Sequence, residues 1–164
     1  MTDEVKKEDM SVTLRPAVPE DEAFLFELYC STRTMDIGRA GLEPAQQAAI
    51  LEMQFNGQRR QYEMDFPEAD HDIILLERRP IGRVMVQRPA EQNLGVDIAL
   101  LPEHRNSGIG GMLINGLLDE ARSAGRPFRI HVERSNPALR LYMRLGFRTV
   151  GETPTHLLME WRAL

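Results

Sequence analysis

Apolar residues alternate with polar ones, or form short runs, in seven stretches of the chain that proline, glycine or charged residues bound. Short stretches of this kind are typical of β-strands. The second and third stretches are joined by a tight turn near Arg79 and Pro80, which predicts a hairpin. The predicted strands are Ser11–Arg15, 72–78, 81–88, Leu94–Leu101, 127–133, 147–152 and 156–163.

Four longer runs have the apolar spacing or the composition of helices. A glycine-containing turn around residues 36–41 separates the first run from the second. Pro44 lies near the start of the second run, where proline is favoured, and Gly57 marks a place where this helix would kink or break. The predicted helices are 20–32, 43–66, 108–124 and 136–146.

The order of these elements is β-α-α-β-β-β-α-β-α-β-β, with no repeat and no linker. It predicts one mixed α/β domain over residues 1–164, with the polar residues 1–9 frayed. The net charge of −5 argues against a nucleic-acid partner. The single cysteine, Cys30, lies in an apolar run and predicts a buried structural thiol. A chain with no apolar run long enough for a membrane span and no signal peptide is expected to have no membrane partner and to be cytoplasmic.

Three glycines, Gly108, Gly110 and Gly111, stand where the third helix begins. Each glycine inside a helix costs about 1 kcal/mol relative to alanine, so another benefit is expected there. The first turn of a helix presents unpaired N–H groups and a partial positive charge, and glycine lets a phosphate approach them. No P-loop lysine follows, and the spacing is not that of a dinucleotide fingerprint. A tight turn that packs closely and binds nothing remains the alternative.

Two motifs of this chain resemble the signatures of the GNAT N-acetyltransferases. The sequence "RNSGIG", Arg105 to Gly110, is similar to the acetyl-CoA signature of that family, and "NPALRLYMRLGF", Asn136 to Phe147, is similar to its second conserved block. The element order also matches, and the segment 53–83 looks like a bacterial branch of the family. The resemblance implies a mixed, mostly antiparallel sheet flanked by helices, in which two central parallel strands splay apart.

The resemblance also implies where acetyl-CoA, the cosubstrate, would bind. The pyrophosphate would meet main-chain N–H groups at the helix start, and the pantetheine arm would pair with backbone of the strand before it. Asn136 and Tyr142 match family positions that contact the coenzyme. The implied cofactor-binding residues are Ile98, Ala99, Leu100, Arg105, Asn106, Ser107, Gly108, Ile109, Gly110, Gly111, Asn136 and Tyr142.

Catalysis by direct attack of an amine needs an acid and a base, and the resemblance makes Tyr142 the acid that protonates the departing thiolate. From periodicity alone, Tyr142 is a core tyrosine. His131 is predicted to be the base because of its position on the strand 127–133. Glu133, Asp97 and water are the alternatives. No cysteine, histidine or carboxylate spacing predicts a metal site.

The predicted function is transfer of the acetyl group of acetyl-CoA to a primary amine of a small molecule or peptide. The alternatives are another acyl-CoA as donor, or a non-catalytic, CoA-binding regulatory module. A homodimer is expected only by analogy with the family. In this fold the acceptor would lie under residues 24–66 and 151–156. The side chains in these segments that could contact the acceptor do not identify it. They are Glu27, Tyr29, Arg33, Tyr62 and Glu63.

Overall fold

Seven strands and four α-helices follow one another in the predicted order. The computed structural model describes residues 11–38 and 41–164, so the segment 1–9 that was predicted to fray, and residues 39–40 of the predicted turn, lie outside the described residues. The elements are β1 (Val12–Pro16), α1 (Glu22–Gly38), α2 (Pro44–Asp65), β2 (Asp70–Leu76), β3 (Arg79–Gln87), β4 (Asn93–Leu100), α3 (Ile109–Ala124), β5 (Phe128–Glu133), α4 (Leu139–Arg144), β6 (Arg148–Glu152) and β7 (His156–Trp161).

The strands form one sheet in the order β1-β2-β3-β4-β5-β7-β6. Only β4 and β5 are parallel, and the other neighbouring pairs are antiparallel. β4 and β5 pair over only three residues each, Asn93–Gly95 with Phe128–Ile130, and then separate. The register of β4 against β3 shifts at this point, with Val96 as the extra residue, and such a bulge bends a strand. The predicted fold, with splayed central parallel strands, is therefore confirmed.

Helices cover both faces of the sheet, as successive residues of β3 illustrate. Val84 belongs to the main core under α3 and α4, whereas Arg83 contacts Gln58 of α2 on the opposite face. A smaller cluster joins α1 to α2 on that second face. Buried residues of the main core include Ile74, Val86, Ile114, Leu118, Phe128, Ile130, Phe147 and Met159, and those of the smaller cluster are Tyr29, Leu51 and Phe55.

Several element boundaries differ from the prediction. The turn between β2 and β3 is formed by Glu77 and Arg78, both with positive φ, so β3 already begins at Arg79. α2 is continuous through Gly57, because a single glycine costs less than the helix gains from packing. α4 begins at Leu139, three residues after the predicted start, and α1 continues to Gly38 through residues predicted as a turn.

α3 does not bury every apolar residue of its sequence. Ile109, Ile114, Leu118 and Ala121 are buried, whereas Met112 is 51 % exposed. The buried stripe still follows the helical period, so the helix packs as an amphipathic element against the sheet. Among the helices of residues 11–38 and 41–164, none is both long and apolar enough to cross a bilayer.

Candidate active site

The separation of β4 from β5 creates a gap in the middle of the sheet. Beyond Gly95, the backbone of β4 has no strand partner on its β5 side, and Ile98, Ala99 and Leu100 all lie in this unpaired part. On its other side β4 stays paired with β3, which holds it in place. The backbone groups of Ile98 and Leu100 point towards the gap, where the Leu100 carbonyl accepts from Arg105 Nε. The Ala99 carbonyl instead points towards Gly82 of β3.

The start of α3 lies at the end of β4. Gly108 precedes the helix with a φ of +86°, which a side chain would strain, and Asn106 has a φ of +58°. The loop is held by Ser107 Oγ, which donates to the carbonyl of His104 at 2.7 Å, and by Arg105 Nε, which donates to the carbonyl of Leu100 at 3.0 Å. No side chain caps the helix, so its first N–H groups remain free to bind a ligand.

The glycines in the first turn of α3 are not explained by close packing. A Cβ built on Gly110 would lie 3.9 Å from the side chains of Leu100 and Leu141, and one on Gly111 would lie 3.7 Å from Leu141. These are ordinary van der Waals distances, so alanine would fit at both positions. These distances argue against a turn in which close packing requires glycine. They favour a site in which the absence of side chains leaves space for an anion.

Tyr142 is on α4, next to Leu141, and is 4 % exposed. Its ring packs edge-on against Phe147, with centroids 5.4 Å apart, and its hydroxyl makes no hydrogen bond to a described residue. Burial, and then the negative charge of Asp97, raise the pKa of Tyr142 to about 12. The phenol therefore stays protonated at neutral pH and could donate a proton.

Asn136 shapes the approach to α4. Its side-chain oxygen accepts a hydrogen bond from the N–H of Ala138 at 2.9 Å, and its own N–H donates to the carbonyl of Glu133. Asn136 therefore organises the turn before α4 and does not cap the helix, whose N-cap residue is Ala138. Gly146, with a φ of +100°, follows the end of α4 in the left-handed conformation that favours glycine.

His131 is exposed on β5 and faces a cavity of about 370 Å³ at the gap. We call this the strand-gap cavity, and its lining includes Tyr62, Phe66, Gly95, Val96, His131 and His156. The imidazole of His156 is oriented by a 2.8 Å hydrogen bond between its Nδ1 and Thr155 Oγ1. No local sequence pattern relates these two histidines, because the β5–β7 register brings them together.

The two carboxylates considered as bases both have cationic partners. Asp97 Oδ2 is bound by the guanidinium of Arg83, which also donates to Gln58 at 3.0 Å. Glu133 lies 3.6 Å from the guanidinium of Arg33. Neither carboxylate is among the residues that line the cavity faced by His131.

Tyr62, from α2, closes the site above Asp97. Its hydroxyl lies 3.5 Å from Asp97 Oδ2, and the Arg83 guanidinium stacks over its ring at 5.6 Å. Burial is the main reason that the pKa of Tyr62 is raised. Arg83 itself was missed as a site residue, although an arginine inside an otherwise apolar strand is a signal that could have indicated it.

The other candidate acceptor residues are scattered. Tyr29 is buried against Phe55, Glu27 is exposed on α1, and Glu63 lies on α2 beside another cavity. Cys30 is half-buried in the cluster between α1 and α2, and burial raises the pKa of its thiol. The thiol is thus neutral and part of an apolar cluster, which does not suit a nucleophile.

Comparison with known proteins agrees with this geometry. Residues 69–149 match the family model of the acetyltransferase (GNAT) domain. This range begins just before β2 and ends in β6, so it includes the gap, the glycine turn and Tyr142. No curated protein sequence matches the chain.

Solved structures share the whole fold at low identity. The PaiA N-acetyltransferase from Thermoplasma acidophilum, in complex with coenzyme A, is 17% identical with a TM-score of 0.70 over 94% of this chain and 100% of that one. An acetyltransferase from Thermus thermophilus is 18% identical with a TM-score of 0.68, over 94% and 98%. A candidate streptothricin acetyltransferase from Bacillus anthracis, in complex with acetyl coenzyme A, is 17% identical with a TM-score of 0.52, over 61% and 66%.

Proposed function

We propose that this chain, whose residues 69–149 match the GNAT acetyltransferase domain, transfers the acetyl group of acetyl-CoA to a primary amine of a small molecule or peptide. The observation that carries this proposal is the gap where β4 leaves β5, with the uncapped start of α3 at one end and Tyr142 on the neighbouring α4. A gap of this kind offers backbone groups to an extended ligand and an anion site to its phosphates.

The residues of the glycine turn would hold the pyrophosphate of acetyl-CoA. The N–H groups from Asn106 to Gly111 are the donors, and Arg105 keeps the turn against the end of β4. Backbone groups of Ile98 and Leu100 would pair with the amides of the pantetheine arm. One N–H near Ala99 or Leu100 would donate to the thioester oxygen as it gains negative charge.

Tyr142 would act as the acid and His131 as the base. His131 takes the proton that the attacking ammonium must lose, since only a neutral amine has a lone pair for the carbonyl carbon. The new carbon–nitrogen bond replaces the carbon–sulfur bond, and Tyr142 donates a proton to the departing sulfur. The nitrogen loses a further proton as the amide forms, and this proton restores the phenol of Tyr142 by way of solvent. His131 is favoured over Asp97 and Glu133 because those carboxylates do not line the strand-gap cavity.

A thiol-release assay with purified protein tests the proposal. Acetyl-CoA is incubated with a panel of primary amines, and free coenzyme A and the acetylated products are measured. We expect amine-dependent release of thiol, with one acetylated amine formed for each thiol. Tight binding of coenzyme A without release for any amine would contradict the proposal and favour a regulatory module. A faster reaction with propionyl-CoA would mean that the protein transfers a different acyl group by the same reaction.

The base is tested by replacing each histidine of the strand-gap cavity in turn. His131→Gln should lower kcat/KM about 100-fold at pH 7, because the ammonium then loses its proton acceptor. The loss should shrink at pH 9 to 10, where more of the free amine is already neutral. His156→Gln is the matched variant and should cost less. The reverse order of effects, measured from full pH profiles, would assign the base to His156.

A further inference from the structure

A second cavity, of about 320 Å³, lies on the same face of the sheet as the strand-gap cavity. It is formed between the start of α1, the middle of α2 and the strands β2 and β3, and we call it the helix cavity. The two cavities share Tyr62 and are therefore neighbours. Its lining includes Leu25, Phe55, Tyr62, His71, Arg83 and Met85.

The wall of the helix cavity is largely apolar, with leucine, phenylalanine, methionine and tyrosine side chains. Its one internal guanidinium, that of Arg83, is engaged by Asp97 and Gln58 on the side of the gap. At the rim, Glu22 is paired with Arg59 at 2.7 Å. Glu63 also belongs to the lining, and it is exposed to water.

His71 completes this wall from β2. Its Nε2 is fully buried and has no hydrogen-bond partner among the described residues. Burial is the main cause that lowers the pKa of His71, so the imidazole is neutral at physiological pH. The floor of the helix cavity therefore carries no free charge.

We propose that the helix cavity receives an uncharged, apolar arm of the acceptor. The acceptor is then a primary amine with an apolar group of roughly ten non-hydrogen atoms, given about 30 Å³ for each. The amine lies in the strand-gap cavity, and the arm passes Tyr62, which both cavities share. This inference rests on the proposed function, because it identifies the class of amine that the same site accepts.

A second cationic group on the acceptor would be rejected by the same wall. An ammonium group that leaves water for an apolar cavity needs a free anionic partner. Asp97 is engaged by Arg83, and Glu22 is engaged by Arg59. The carboxylate of Glu63 is exposed to water, which screens its charge. A diamine or polyamine would therefore leave its second charge without compensation, whereas an alkyl or aryl arm gains from burial.

Matched amines test the choice of arm. Pentylamine and 1,4-diaminobutane have the same number of non-hydrogen atoms and differ in the charge at the far end. We expect kcat/KM to rise from ethylamine to pentylamine by about fourfold for each added methylene. Pentylamine should exceed 1,4-diaminobutane at least tenfold. Equal or better use of 1,4-diaminobutane would overturn the proposal, and so would a flat series from ethylamine to pentylamine.

Cavity-filling variants locate the arm. Leu25→Trp fills the helix cavity and should lower the ratio of kcat/KM for pentylamine to that for ethylamine about tenfold. Leu14→Trp is the same substitution at an exposed leucine of β1 that does not line the cavity, and it should leave the ratio unchanged. If Leu25→Trp does not fold, Ala17→Leu replaces it as the cavity-filling variant, because Ala17 follows β1 and also lines the helix cavity. An unchanged ratio in a folded filling variant would overturn the proposal.

Calorimetry separates failure of this inference from failure of the proposed function. If the wild-type protein acetylates no amine, the proposed function is wrong. The arm site is then judged from amine binding to the complex with coenzyme A. Tighter binding of pentylamine than of 1,4-diaminobutane, weakened by Leu25→Trp, supports the site, and equal binding of the two amines overturns it.

Discussion

At the scale of single residues, side chains that stabilise the fold also lie at the candidate site. Tyr142 is part of the main core, and the same burial raises its pKa to about 12. Asn136 organises the turn before α4, and the sequence motif also makes it a predicted contact of coenzyme A. Mutations at such positions need two readouts, because loss of structure and loss of chemistry would otherwise look alike.

Tyr142→Phe removes only the proposed acid. We expect kcat to fall about 100-fold, since the thiolate then leaves without a proton donor, while the Kd for coenzyme A and the melting temperature change little. Because the pKa of Tyr142 is raised to about 12, loss of its proton should not reduce wild-type activity between pH 8 and 10. Stopped assays and calorimetry on both proteins provide the measurement. Equal losses in kcat and in coenzyme affinity would mean that Tyr142 only supports the fold.

Asp21 should govern part of the acid stability. The guanidinium of Arg15 donates to both carboxylate oxygens at 2.7 and 2.8 Å, and this lowers the pKa of Asp21 to about 2. The pKa is lowered on folding, so the stabilisation is present at neutral pH and disappears as the pH falls from about 4 towards 2. After allowance for the partly exposed Arg15, Asp21→Asn should cost about 1–2 kcal/mol at pH 7 and almost nothing at pH 2.

Urea unfolding of Asp21→Asn and the wild type at several pH values measures this difference. Asp119→Asn is a suitable control, because Asp119 belongs to an exposed ion pair on α3. Its effect should be small and nearly constant with pH. If Asp21→Asn lowers the free energy of unfolding equally at every pH, the ion pair with Arg15 does not control the stability in acid.

At the scale of elements, the close approach of β3 to β4 positions the coenzyme strand. A Cβ on Gly82 would lie 2.2 Å from the carbonyl oxygen of Ala99 and 2.9 Å from the Leu100 side chain. The first contact involves backbone, which cannot move away without disturbing the pairing. Gly82 therefore fixes the free edge of β4 from its opposite side.

Gly82→Ala should destabilise the protein by about 2–3 kcal/mol, as overpacking against backbone does. It should also weaken binding of coenzyme A, because a shift of β4 would move the backbone of Ile98 and Leu100, which borders the gap. Gly151→Ala on β6 is the matched control, since its Cβ would make only an ordinary contact of 3.6 Å with Leu158. Chemical unfolding and calorimetry measure both effects. Similar stabilities for the two variants would contradict this role of Gly82.

At the scale of the whole molecule, all seven strands belong to one sheet, and the helices that cover its two faces share β3. We therefore expect residues 1–164 to unfold as one domain in a single transition. Coenzyme A at 100 times its Kd should raise the unfolding midpoint by about 5–10 °C, because it binds only the folded state.

Variants of α3 test whether this shift comes from the glycine turn. Gly110→Glu places bulk and negative charge at the proposed pyrophosphate site and should abolish the shift. Gly116→Glu makes the same change at an exposed glycine in the middle of α3, with open space around it, and should retain the shift. Differential scanning calorimetry with and without coenzyme A gives the answer. A full shift in Gly110→Glu would place the coenzyme elsewhere.

The sequence by itself determined the elements and their order, the helix start at the glycines and the alternation of His131 and Glu133 with buried neighbours on β5. These features depend on short-range rules of periodicity, turn chemistry and helix ends, which act within a few residues. Only the tertiary structure decided that Arg83 holds Asp97, that Tyr62 lies between two cavities, and that His156 joins His131. Those contacts join segments that are distant along the chain, and they depend on strand register and on the packing of α2 over the sheet, which no local pattern records.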